Sequence, residues 1–177
     1  GKQDQFASAF GGFNFIEFYE NTTVVNSLRL SNSTLNELNY RLILFDMGKT
    51  RQGSTKGSEQ ISNYEQLNIQ KEIAIEMKKV LLKGELDSFG FLLNEAWKIK
   101  KLTHLNINND EIDTIYQTAI ESGAYGGKIL GAAGGGFLIV YSPYQKKHII
   151  ESNLIKLGAK KVNFSFDLNG SQFWISK

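Results

Sequence analysis

The 177-residue sequence has no cysteine and only two histidines, His104 and His148, far apart in the chain. The first absence rules out disulfides and thiolate metal sites. The second makes a histidine metal centre or a Ser-His-Asp relay a weak proposition. No apolar run approaches the roughly 18 residues that a membrane helix needs, and no leader-like segment opens the chain. The expectation is a cytoplasmic protein without membrane contact. Net charge is also scarce. A formal +2, with no basic block beyond Lys98, Lys100 and Lys101, gives no footing for nucleic-acid binding.

Glycine is plentiful where charge is not. Gly123–Phe137 holds seven of the 17 glycines, between a helical pattern and the apolar run Phe137–Tyr141. Glycine loses more backbone freedom on folding than any other residue. Such a cluster therefore implies positive φ angles or a backbone that must approach a ligand closely. Successive N–H groups in loops of this kind form concave anion sites, most often for phosphate.

Along the chain, Asp4–Phe10 reads as a short helix stopped by Gly11-Gly12, with Asp4 in the first turn where the helix dipole favours a carboxylate. Phe13–Tyr19, Thr22–Leu30 and Arg41–Met47 read as strands. Gly48–Gly57 is a polar, basic connection carrying Lys49, Arg51 and Lys56. The period then changes to about 3.6 residues. Ile69, Ile73, Met77, Val80 and Leu81 mark one helix, stopped by Gly84, and Leu86, Phe89, Leu93, Ala96 and Trp97 a second. Asn108 and Glu111 resemble a capping box for a third, on Ile112, Ile115, Tyr116, Ala119 and Ile120. Trp97 reads as core, and Lys98, Lys100 and Lys101 as solvated cations at a helix end. After strand Phe137–Tyr141 and Pro143, a helix on Ile149, Ile150, Leu154 and Leu157 ends at Gly158. The alternating run Val162–Phe166, the turn signal Asn169-Gly170 and the pair Phe173/Ile175 suggest a closing hairpin. The class is α+β, with helices packed on one face of a mainly antiparallel sheet.

Two segments together resemble a known family. Gly1-Lys2-Gln3-Asp4-Gln5-Phe6 is similar to the second motif of the sugar-kinase branch of the GHMP kinases. Gly126-Gly127-Lys128-Ile129-Leu130-Gly131-Ala132-Ala133-Gly134-Gly135-Gly136 is similar to their third, a late glycine-rich loop. Phe10–Phe18, Gly48–Arg51 and Asn94–Lys98 bring the likeness nearest to the heptose 7-phosphate kinases of that family. The resemblance implies a two-lobed kinase fragment. Residues 1–50 would be the remainder of an S5-domain-2-like N-terminal lobe, and residues 51–177 a ferredoxin-like C-terminal lobe. The chain begins without Met, and the family's first phosphate loop and most of its Mg²⁺ ligands are expected upstream. The fragment alone is therefore expected to be inactive and to contain no metal site.

Carried over by position, the resemblance makes Asp4 the catalytic carboxylate beside the acceptor hydroxyl. It places Gly131, Ala132, Ala133, Gly134, Gly135, Gly136 and Lys128 around the phosphates of ATP. Gln3, Lys49, Arg51, Lys98 and Lys101 become candidates for holding a sugar phosphate, with Arg51 preferred because a guanidinium grips phosphate bidentately. Ala133 stands where the family more often has glycine, so that position is expected to take an ordinary backbone conformation. The implied reaction is ATP-dependent phosphorylation of D-glycero-D-manno-heptose 7-phosphate at its anomeric hydroxyl, with Mg²⁺. A fucose or galactose kinase and a non-catalytic anion-binding module remain the alternatives.

Overall fold

The computed structural model describes residues 2–48, 64–103, 110–130 and 136–175. The expectations on Lys49, Arg51, Asn108 and Gly131–Gly135, including the conformation of Ala133, lie outside them.

Helix α1 (Gln3–Phe10) is followed by strands β1 (Asn14–Phe18) and β2 (Thr23–Ser27), which form a two-stranded antiparallel sheet of their own. The sequence reading did not identify the next element, α2 (Asn32–Arg41). Its only aliphatic residues are Leu35 and Leu38, too few to draw an apolar stripe. It is set instead by its start, where the Ser31 hydroxyl accepts the Thr34 N–H at 3.1 Å. Strand β3 (Leu42–Asp46) follows without a break. Helices α3 (Tyr64–Lys83) and α4 (Leu86–Thr103) form an antiparallel pair joined at Gly84, and α5 (Asp110–Glu121) completes the helical run.

Strands β4 (Gly126–Leu130) and β5 (Phe137–Tyr141), helix α6 (Lys147–Lys156) and strand β6 (Lys160–Val162) close the fold. The larger sheet runs β4-β5-β3-β6 with every neighbour antiparallel. Leu42 and Gly126 lie opposite Tyr141 at one end, and Asp46 and Leu130 opposite Phe137 at the other. The class is α+β, helices on an antiparallel sheet, as expected. One core gathers Ile43, Phe45, Ile129, Leu138 and Val140 under α5 and α6. A second, smaller core joins Leu42 and Tyr141 to Leu38, Leu81, Leu86 and Leu93.

Two expectations change. The glycine-rich segment is not one loop, because Gly126–Leu130 is a strand paired with β5 and only the following residues connect the two. β3 is flanked by β5 and β6 in the larger sheet, so strand pairing passes from one sheet to the other across α2. The closing hairpin is absent among the described residues. Asn169 and Gly170 do turn, both donating to Asp167 Oδ1, but β6 ends at Val162. The tail's backbone groups go elsewhere: Gly12 N–H donates to the Asp167 carbonyl at 2.7 Å and Ser171 N–H to that of Ala9 at 3.1 Å. There Gly11 and Gly170 cross so closely that a Cβ on Gly11 would stand 2.1 Å from Gly170 N.

A similar approach joins α4 to the sheet. A Cβ on Gly126 would lie 2.3 Å from the Gly90 carbonyl oxygen and 2.6 Å from Asn94 N. Since those neighbours are backbone, the helix itself must shift. Gly126→Ala is expected to cost about 1–3 kcal/mol, read as a fall of roughly 2–4 °C in Tm per kcal/mol in thermal denaturation. An unchanged Tm would show that α4 is not clamped here.

Candidate functional site

Asp4 is exposed in the first turn of α1, with Gln3 beside it. No residue of α1 is buried. The helix is held by the Gly11–Gly170 crossing and by an edge-on contact of Phe6 with Phe18, centroids 5.9 Å apart. Its carboxylate nevertheless reaches the electrostatic neighbourhood of the larger sheet, where it acts on two lysines, Lys128 and Lys100.

Lys128 is the middle residue of β4. Since side chains alternate along a strand, it leaves the sheet on the same side as Gly126, toward α4. Lys100 stands in the last turn of that helix, three residues after Trp97, which is fully buried. Both lysines are partly buried. Burial is the main force holding each ammonium below the usual lysine pKa, and Asp4 opposes it in both. Lys100 is lowered further by repulsion from Lys128. Two partly desolvated cations thus feel the field of one exposed carboxylate. Gly136, at φ 113°, ends the connection from β4, and its carbonyl accepts the Met47 N–H at 3.0 Å.

Among the described residues, two other basic candidates form ion pairs. Lys98 pairs with Glu95 of its own helix at 2.7 Å, and Lys101 with Asp113 of α5 at 3.3 Å. Lys100, which sequence reasoning grouped with them as solvated, is partly buried, with its ammonium 5.9 Å from the centre of the Trp97 ring. Helical spacing carried that signal, because Leu93, Trp97 and Lys100 fall on one face. A second charged cluster lies at the opposite end of the sheet, about 14 Å along β3. There Arg41 is 4% exposed, donates to Glu37, Asp87 and the Ser142 carbonyl, and faces the ring of Tyr141 at 4.5 Å. Burial would lower its pKa, but the bonds to Asp87 and Glu37 win and hold it above the ordinary value. An open cleft of about 570 Å³ lies beside it, far from Asp4.

Residues 77–159 match the family described as GHMP kinases, C terminal. The chain is 36% identical, over 98% of its length and 53% of the relative's, to a D-glycero-alpha-D-manno-heptose 7-phosphate kinase of Campylobacter jejuni. The crystal structure of a D-glycero-D-manno-heptose 1-phosphate kinase from Bacteroides thetaiotaomicron superposes with a TM-score of 0.72 at 28% identity, covering 99% of this chain and 50% of that one. A Lactococcus lactis galactokinase bound to galactose shares the fold at a TM-score of 0.61 and 18% identity, covering 97% of this chain and 55% of that one. The chain thus spans about half the length of these relatives.

The electrostatics give a signed expectation. Lys128 has a lower pKa folded than unfolded, so at neutral pH its burial opposes folding. That opposition fades as pH rises through the depressed value toward the ordinary 10.5. Lys128→Met should therefore raise Tm by roughly 2–4 °C near pH 7, with the difference shrinking toward about pH 10. A variant less stable than wild type at neutral pH would contradict the assigned cost.

Proposed function

We propose that the chain forms the C-terminal half of an ATP-dependent kinase that phosphorylates a heptose phosphate at its anomeric hydroxyl. D-glycero-D-manno-heptose 7-phosphate would be converted to the 1,7-bisphosphate for nucleotide-activated heptose synthesis, a cytoplasmic task. The observation that carries this reading is the 36% identity to a heptose 7-phosphate kinase across 98% of the chain. The shared field of Asp4 and Lys128 supports it chemically.

In the proposed reaction the anomeric oxygen attacks the γ-phosphorus of ATP and the bond to the β,γ-bridging oxygen breaks. ADP leaves, and the hydroxyl proton passes to the Asp4 carboxylate. Phosphoryl transfer asks mainly for positioning and charge stabilisation. Lys128 would supply part of the charge, and the backbone N–H groups of Gly131–Gly136 would cradle phosphate oxygens. Mg²⁺ does not fit the described residues alone. No group of three His, Cys, Asp or Glu side chains converges among them, and Asp4 has cations for neighbours, so no step is assigned to a metal here. The heptose 7-phosphate would be held by a separate basic group with Arg51 foremost. In this reading residues 1–50 are the remainder of the N-terminal lobe and residues 51–177 the C-terminal lobe.

A second sugar remains in view, since a bifunctional fucokinase/GDP-fucose pyrophosphorylase of Arabidopsis thaliana is 23% identical over 83% of the chain and 15% of that protein. A panel of sugars and sugar phosphates assayed with the full-length protein separates the two. Asp4→Asn in that protein should lower kcat by about 10²- to 10⁴-fold with KM values little changed. An undiminished kcat would remove Asp4 from the chemistry. Arg51→Ala should raise the KM for heptose 7-phosphate alone, and a change confined to the ATP KM would sink that assignment.

A further inference from the structure

We propose that Phe173, Trp174 and Ile175 form a docking surface for the stretch of polypeptide that precedes Gly1. The occupant rests on the kinase reading, in which this chain is the C-terminal half of a longer protein.

The tail is anchored before it becomes apolar. Phe166 packs edge-on against Phe13 with ring centroids 4.9 Å apart, and Gly12 N–H donates to the Asp167 carbonyl. Gly170 then crosses Gly11. Ser171 donates its N–H to the Ala9 carbonyl at 3.1 Å and its hydroxyl to the Ser8 carbonyl at 3.4 Å. As the tail advances from Phe166 to Ser171, its partners recede from Phe13 to Ser8. It therefore runs antiparallel to α1, and the residues after Ser171 are carried toward the first turn of that helix, where a preceding segment enters.

The side chains carried there are large and apolar. Phe173, Trp174 and Ile175 are 90%, 85% and 85% exposed, the three most exposed large apolar side chains among the described residues. A buried aromatic removes about 150–250 Å² from water. Two rings and an isoleucine thus amount to the largest patch an ordinary monomer shows, roughly 300–600 Å², and patches of that size are often functional. These three residues make no backbone hydrogen bond among the described residues, and Phe, Trp and Ile favour extended pairing. A neighbour lying along the tail would satisfy the backbone groups and cover the side chains together.

Position and length select the occupant. α1 buries none of its residues and leaves Phe10 half exposed. The sheet beside it has only two strands, β1 and β2, which is marginal on its own. This end of the molecule therefore lacks covering surface. The chain matches the Campylobacter jejuni kinase over 98% of its own length but 53% of that protein's, which leaves a segment of comparable size to supply the cover. In the kinase reading that segment joins at Gly1, beside the strip the tail approaches. A tethered segment competes there at a high effective concentration, which a second copy of the chain does not have.

In the full-length protein, Trp174→p-benzoylphenylalanine is irradiated and the cross-linked peptides are mapped by mass spectrometry. Residue 174 should be joined, within one polypeptide, to a peptide upstream of Gly1. Links confined to residues 1–177, links between two copies, or no link at all overturn the proposal. Should that variant fail to fold, ¹⁹F NMR of the wild type labelled with 5-fluorotryptophan decides, the Trp174 resonance being the one lost in Trp174→Phe. It should show no solvent isotope shift between H₂O and D₂O, and none should develop on dilution. A full shift, or one that develops on dilution, counts against docking within the chain. Kinase assays with sugars and sugar phosphates are read separately. Upstream cross-links in a protein that phosphorylates none of them sink the kinase reading and leave the docking surface standing, and turnover without upstream cross-links does the reverse.

Discussion

The close approach of α4 to β4 is the constraint on which the candidate site depends. Two glycines, Gly90 and Gly126, let a helix backbone rest directly on a strand backbone, with no room for a Cβ between them. That contact fixes the height of the helix above the sheet. It therefore decides which turn of α4 meets which residue of β4. Trp97 is seated fully in the core beneath α5 and α6, and Lys100 follows in the last turn of the same helix.

The same helix is fastened along its length. At its start Asp87 accepts a hydrogen bond from the buried guanidinium of Arg41. In the middle, the Tyr116 hydroxyl donates to Asn94 Oδ1 at 2.8 Å and lies 3.4 Å from the Gly127 carbonyl, tying α5, α4 and β4 together. Near its end Lys101 pairs with Asp113 of α5. A rod about 27 Å long held at three places is a stiff element. In the proposed function stiffness would matter, because electrostatic stabilisation of a transferred phosphate depends on charges that are already in position. Arg41 itself shows how the fold handles a buried charge. Its guanidinium is surrounded by carboxylates, a carbonyl and the Tyr141 ring.

The sequence was most readable where periodicity was strong. The helices on Val80/Leu81 and on Ile112, Ile115 and Tyr116, and the strands Leu42–Asp46 and Phe137–Tyr141, are where the apolar pattern put them. It was silent where a start signal rather than a stripe sets the element, as Ser31 does for α2. Glycine density misled in one respect. Gly126 and Gly127 looked like loop residues, yet they lie in a strand whose neighbours leave no space for side chains. Asn169-Gly170 carried a real turn signal, but which partner the following backbone would choose was a tertiary matter, settled by Ala9 and Gly12. For the site, Asp4 and Lys128 came from motif likeness. Lys100 needed the orientation of α4, and three nearby lysines with different fates look alike in composition.

The crossing of Gly11 and Gly170 carries a temporal meaning. Asp4 sits on a helix with no buried residue, and part of what locates that helix is a backbone contact from near the other end of the chain. A ribosome must therefore release residue 170 before that lock on residue 11 can close. During synthesis the nascent chain can assemble its larger sheet while α1 still lacks this contact, and nascent chains stopped short of residue 170 would lack it altogether.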